Sequence, residues 1–451
     1  MSRRRSRVIR RILASILALL VVAVVGGYWF ERPLLLTGTG YAAHNACAVT
    51  HLTNRHDPAT DLPPNPLVPY LRAKESDGGA ATTASILGVL AKQKAWYVEG
   101  YGCILAAERP QLPTPTPVPA DGNPYVDAAT PAPNAAVTAA LAGAFGDDLA
   151  SDAKTELGTR GIVVLHKGDL VAERYADGFD PTTRQLGWSM AKSVTNLLVG
   201  RMVQAGDLDP AATGLVKDWT GTKTQISIEQ LMRMTSGLSW DETYALGTAV
   251  TTMLYRQSDM GAYAAGLPIA HDPGTYQQYS SGSTNIICSL MTAKAGDGPD
   301  LPRQLLFQQL GLSSAVWEPD ASGTPVCSSY LWATPRDWAA IGQFALQDGE
   351  WNGRRYLPAG WMARSTTHLA VAESEEKGYA AGWWVNKQAD GSLVAPDLPP
   401  DTYWAQGHDG QRLYVVPSAD LVVVRLGFSP ALEADQLRTV ELVKDLISAT
   451  S

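Results

Sequence analysis

The sequence predicts an α+β protein: one antiparallel sheet flanked by terminal helices, a mainly helical second lobe, and a membrane helix at the N-terminus. Three observations carry this. Two strand–turn–strand patterns lie at opposite ends of a long C-terminal region. Each adjoins a segment with helical apolar periodicity, and the stretch between them is rich in helix and loop signals. A basic cluster followed by an uncharged apolar run opens the chain.

Composition narrows the function classes first. The 451 residues carry 36 lysines and arginines against 44 aspartates and glutamates, a formal charge of −8, and 45% are hydrophobic. This is a globular balance and excludes a disordered tail, a collagen or a coiled coil. The acidic excess argues against a nucleic-acid partner. Four cysteines are too few for a disulfide-built scaffold, so packing must hold the core.

At the N-terminus, Arg3, Arg4, Arg5, Arg7, Arg10 and Arg11 precede Ile12 to Phe30, 19 residues without a charge. A helix of that length spans a hydrocarbon layer of about 30 Å. The arginines should remain in the cytoplasm. Tyr28, Trp29 and Phe30 suit the far interface. No A-x-A cleavage site follows, so the run reads as an uncleaved signal anchor rather than a removed signal peptide. Residues 1–35 are thus a cytoplasmic tip and single span in the inner (cytoplasmic) membrane. The remainder is expected on the periplasmic side.

Residues 36–109 form a small segment with short apolar strands, Lys94 to Val98 and Cys103 to Ala107. In an oxidising compartment Cys47 and Cys103 could pair and close it. Cys288 and Cys327 read as two small buried thiols. His44, Cys47, His51 and His56 lack a second ligand cluster at finger-like spacing, so no metal is expected. Residues 110–133 carry eight prolines in 24 positions, which prevents helix and central strand and makes an extended linker or wrapping arm.

Residues 134–451 are long enough for an enzyme domain. Val137, Ala140, Leu141, Ala144 and Phe145 fall on one helix face. "RGIVVLHKGDLVAERYA" is a hairpin turning at Lys167 to Asp169. "QRLYVVPSADLVVVRLG" is another, turning at Pro417 to Asp420. A closing helix bears Leu437, Val440, Val443, Leu446 and Ile447. A second lobe over about 189–370 would leave a cleft against the sheet.

The chemistry concentrates in "GWSMAKSVTNLLVGRMVQAGDLD". Ser189 and Lys192 are one helical turn apart. A serine hydroxyl needs a base to become a nucleophile, and a lysine shielded from water loses its charge more readily. The helix N-terminus also favours negative charge on the serine oxygen. Ser151/Lys154 and Ser374/Lys377 share the spacing but lie in polar, solvated stretches. Downstream, "HDPGTYQQYSSGSTNIICSLM" presents Tyr279, whose phenol could relay a proton. Later, "GHDGQRLYVV" sets His408, Asp409 and Gly410 before a strand, where glycine admits a close backbone approach.

The order S-x-x-K, then Y-x-S, then H-x-G resembles penicillin-recognising serine hydrolases: class C β-lactamases, D,D-peptidases, related esterases and 6-aminohexanoate-dimer hydrolases. "ISIEQLMRMTSGL" (226–238) and "ATPRDWAAIGQFALQDGEWNGRRYLPAGWM" (333–362) are similar to segments these enzymes carry. The resemblance covers about 134–451 and implies a β-lactamase/transpeptidase-like fold. It implies Ser189 as the acylated nucleophile, Lys192 as its proton acceptor, Tyr279 as acid/base partner, and the amides of Ser189 and Gln411 as oxyanion hole. Ser281, His408 and Gly410 become substrate-binding positions. No cofactor is implied. An N-terminal piece with paired cysteines resembles exported members of the aminohexanoate type.

Two departures bear on substrate. Ser281 stands where many β-lactam-acting members have asparagine, and His408 replaces the usual lysine, making a fixed charge pH-dependent. Both favour an ester or linear amide as the small-molecule substrate. A D,D-peptidase or β-lactamase remains the alternative, as does a non-catalytic penicillin-binding-type domain. "GWSMA" (187–191) also resembles a loose nucleophile elbow, but an α/β-hydrolase would need alternating strands and helices between Ser189 and His408.

Overall fold

The computed structural model describes residues 2–132 and 134–450; for residues 2–6 it describes the backbone alone. Met1, Pro133 and Ser451, and the side chains of Arg3, Arg4 and Arg5, lie outside the described residues.

Helix α1 (Ser2–Thr53) is continuous over 52 residues and contains Pro33. Within it, Arg7–Thr53 holds the one stretch among the described residues long and apolar enough to cross a membrane, with a mean hydropathy of 2.5. Its apolar N-terminal half is exposed, whereas Thr37 to Val49 is buried. The boundary expected near residue 35 therefore falls inside a helix. Small residues allow this: a Cβ on Gly40 would fall 2.6 Å from the Tyr255 carbonyl oxygen, so the helix lies directly on that backbone.

Strands β1 (Leu71–Ser76), β2 (Ala81–Ile86), β3 (Leu90–Val98) and β4 (Gly102–Leu105) form an antiparallel meander in that order, packed along α1. A disulfide joins Cys47 of α1 to Cys103 of β4, with Cα atoms 6.0 Å apart. Beside it, His44 Nε2 lies 2.8 Å from Glu318 Oε2. The buried Glu318 carboxylate also accepts from the Cys103 amide at 2.6 Å and the Trp332 indole at 2.9 Å. His51 stacks on Tyr97. Residues 107–132 form neither helix nor strand and lie along the C-terminal domain as a strap. Asn123 donates to Asp337, and Tyr125 donates to the Gly168 carbonyl.

The C-terminal region opens with α2 (Ala135–Ala144) and the hairpin β5 (Thr159–His166) and β6 (Asp169–Tyr175). Lys167 and Gly168 turn it at φ 53° and 82°, the positive values a two-residue hairpin requires. Helices α3 (Met190–Ala205), α4 (Ser281–Ala295) and α5 (Pro335–Leu346), with shorter pieces, build the second lobe. Strands β7 (Trp384–Val385), β8 (Tyr403–Gly407), β9 (Gln411–Val416) and β10 (Leu421–Gly427) and helix α6 (Thr439–Thr450) close the chain. The six-stranded sheet runs β7-β8-β9-β10-β5-β6, antiparallel throughout. Val163 pairs with Val424 at its centre.

Alternation along the strands feeds two cores. Ile162, Val164 and Val423 face α2 and α6, meeting Val137, Leu141, Leu442 and Leu446. Val163, Leu165 and Val424 face the other way, into a core with Trp338, Ile341 and Leu197. This is the expected sheet between terminal helices. One cysteine expectation changes: Cys288 on α4 and Cys327 form a second disulfide, with Cα atoms 6.0 Å apart. Their 39-residue separation hid a pairing between α4 and a turn that only the folded chain brings together.

Candidate active site

The turn that delivers Ser189 is built from bulky groups in a backbone state they rarely adopt. Trp188 has φ 49°, held by burial and by edge contacts with Tyr41 and Tyr244. Gly187 before it lies against Trp338, where any Cβ would collide with the indole. Ser189 thereby stands at the first position before α3, its hydroxyl making no capping bond to the helix.

Lys192 is 2% exposed. Its Nζ lies 3.0 Å from Ser189 Oγ, 2.9 Å from Ser281 Oγ and 3.2 Å from the Ser328 carbonyl oxygen. Burial pushes its pKa down to about 8, against the opposing pull of Glu242, whose Oε1 is 4.0 Å away. The same nitrogen lies 4.7 Å from the Tyr279 ring centroid. Desolvation, followed by Tyr379 and Glu242, holds the Tyr279 phenol well above its ordinary value, while a hydrogen bond with Ser189 pulls the other way. Tyr279 thus stays protonated at neutral pH and touches the serine. Trp384 stacks on it at 5.7 Å.

Glu242 was not legible in the sequence. It accepts from the Ser281 amide at 2.8 Å, from the Ser281 hydroxyl and from the Trp240 indole. Ser281 is fully buried, with its hydroxyl between Lys192 and Glu242. It thus joins Lys192 to Glu242 and is not among the described residues that wall the cleft.

Gly410 and Gln411 each make further contacts of their own. Gly410, at φ 90°, meets Arg425 where a Cβ would stand, and its carbonyl accepts from that guanidinium at 2.7 Å. Its openness serves packing. Gln411 turns its buried amide onto the carbonyls of His408, Asp409 and Gly427. It borders a small cavity with Asp61, Arg160 and Trp188. The tight turn at His408–Gly410 brings the end of β8, not the start of β9, beside Ser189. Gly407 sits so close that a Cβ would fall 2.1 Å from the Gly187 carbonyl oxygen.

The cleft measures about 270 Å³, with Ser189, Tyr279, Glu242, Tyr244, Glu376 and His408 on its walls. His408 stacks on Tyr244 at 4.2 Å, and its Nε2 is 3.3 Å from Asp409 Oδ1. Burial and the neighbouring Glu375 and Glu242 push Glu376 up to about 7. Trp383 is core; Trp384 lines the cleft.

Residues 141–439 match the family model described as Beta-lactamase. The chain belongs to the beta-lactamase family. It is 25% identical over 305 residues to the 6-aminohexanoate-dimer hydrolase of Paenarthrobacter ureafaciens, covering 60% of this chain and 73% of that protein. Among solved structures, a Bacillus anthracis protein described as a 6-aminohexanoate-dimer hydrolase superposes with a TM-score of 0.57 at 21% identity, over 74% of this chain and 89% of that one. A penicillin-binding protein homologue from Caulobacter crescentus gives 0.55 at 16%, over 71% and 99%. These likenesses share the fold. Family and fold together make this protein a beta-lactamase-like serine hydrolase.

Proposed function

We propose that this beta-lactamase family member hydrolyses an ester or linear amide through an acyl-enzyme on Ser189, outside the cytoplasm and anchored by α1. The observation that carries the reading is the 3.0 Å contact between Lys192 Nζ and Ser189 Oγ, in a pocket that keeps the lysine dry. Neutral Lys192 takes the hydroxyl proton as Oγ attacks the carbonyl. The oxyanion forms at the start of α3, where the Ser189 amide and an amide at the β8 end, at His408, are the donors. Tyr279 protonates the departing alkoxide or amine and takes a proton in turn from the Lys192 ammonium beside it, which restores both groups. Water then enters, gives its proton back through the same pair, and releases the acid and Ser189.

The cleft's charge supports an ester or linear amide over a β-lactam or D-Ala-D-Ala peptide. Glu242 and Glu376 face it, and the only basic side chain among its described walls is His408, beside Asp409. A substrate carboxylate would meet Glu242 there, and Glu376 as it ionises near pH 7. The anchor reading rests on the exposed apolar half of α1 behind a basic tip.

A substrate panel tests the proposal: short and long p-nitrophenyl esters, aminohexanoate dimer, nitrocefin and a D-Ala-D-Ala peptide, each with Ser189→Ala as control. Ester or dimer turnover that vanishes in the variant is the expected result. Turnover of nitrocefin alone would overturn the substrate assignment.

A further inference from the structure

The hairpin joining β2 and β3 carries an exposed apolar tip that the catalytic reading leaves unused. Leu87, Val89 and Leu90 are 59%, 67% and 38% exposed, and neighbouring Tyr70 is 51% exposed. They form one edge, because the Leu87 amide donates to the Tyr70 carbonyl at 2.9 Å.

The turn itself is chemically odd for a water-facing loop. Val89 N–H closes onto the Ile86 carbonyl at 3.1 Å, with Leu87 at φ 51° and Gly88 at φ 82° between them. Two positive φ values are the pattern that selects Asn-Gly or Asp-Gly in hairpins. Here a leucine occupies the strained first position and points outward.

One bond marks the tip's height along α1. The Ala91 amide donates to the Tyr28 phenol oxygen at 3.1 Å. Tyr28 adjoins Trp29 and Phe30, themselves 62% and 81% exposed, where the apolar run of α1 ends. Arg32, Arg72 and Lys92 flank this level, with Glu31 the acidic residue among them. Aromatic rings, exposed aliphatic side chains and basic residues at one level are the composition of a membrane interface.

We propose that the β2–β3 tip is a second membrane contact, in which Leu87, Val89 and Leu90 enter the outer leaflet beside α1. This rests on the reading of α1 as a membrane anchor. The helix then continues unbroken into the enzyme domain, so span and tip together form a stiff two-point mount that holds the domain against the bilayer.

The test uses the full chain reconstituted in phosphatidylcholine–phosphatidylglycerol vesicles containing nitroxide-labelled lipid. The described cysteines are all in disulfides, so single added cysteines can carry an environment-sensitive fluorophore. Val89→Cys reports the tip, Val22→Cys the span, and Ser392→Cys an exposed turn of the enzyme domain. The proposal expects quenching and a blue shift at Val22 and Val89 but not at Ser392. Quenching at Val22 with Val89 no more affected than Ser392 would overturn the tip contact and leave the anchor standing. No quenching at Val22 would remove the anchor and the mount with it.

Discussion

Glu242 accepts both polar hydrogens of Ser281, the amide at 2.8 Å and the hydroxyl beside it, and so fixes the serine that receives the Lys192 ammonium group. A carboxylate oxygen thus stands 4.0 Å from the Lys192 nitrogen. Its charge favours protonated Lys192, opposing the desolvation that lowers the lysine's pKa. Glu242→Gln keeps the shape and removes the charge. The lysine should then lose its proton more easily, and the acid limb of kcat/KM should move to lower pH. A pH–rate profile of the variant checks the direction; an unmoved or raised limb would separate Glu242 from the base.

The unsubstituted enzyme should show that limb with a midpoint near the Lys192 value of about 8. Only the neutral amine accepts a proton, so below the midpoint kcat/KM should fall roughly tenfold per pH unit. Lys192→Ala should cost about 10²-fold or more and abolish the limb. Profiles measured with one p-nitrophenyl ester check both.

Glu376 lines the cleft as a second carboxyl. Glu376→Lys should raise the rate on an anionic substrate such as nitrocefin relative to a neutral ester by roughly fivefold, the effect of about 1 kcal/mol for a partly exposed charge. The ratio of kcat/KM values for the two substrates reads it. An unchanged ratio would show that this carboxyl does not sense the substrate's charge.

The Cys47–Cys103 bridge closes a 56-residue separation between α1 and β4. Chain entropy alone assigns such a loop about 4 kcal/mol. The Cys47→Ala/Cys103→Ala double variant should unfold at clearly lower denaturant concentration, by loosening the N-terminal meander. Denaturant titration in detergent, following the fluorescence of Trp96 and its neighbours, checks this.

The helix that sets Lys192 against Ser189 was legible because the pair opens an apolar segment, whereas the polar surroundings of Ser151 and Ser374 set them apart. The two hairpins were legible from alternation and turn residues. Glu242 was not: it lies on an irregular loop, and its partners Ser281 and Lys192 are remote in sequence. That Gly407 and His408 line the cleft beside Ser189 was hidden because the turn at His408–Gly410 is tighter than a strand start would be. The reach of α1 to Thr53 was hidden by Pro33 and by the glycines and threonines after it, which look like a helix end until Tyr255 is packed against Gly40.

The most direct test is the site of acylation. The full-length protein, mixed with a slowly hydrolysed p-nitrophenyl ester, acid-quenched within one turnover and mapped by peptide mass spectrometry, should carry the acyl group on Ser189. Ser189→Ala should carry none and release no p-nitrophenol above background. An acyl group on another residue, or undiminished turnover by Ser189→Ala, would contradict the account.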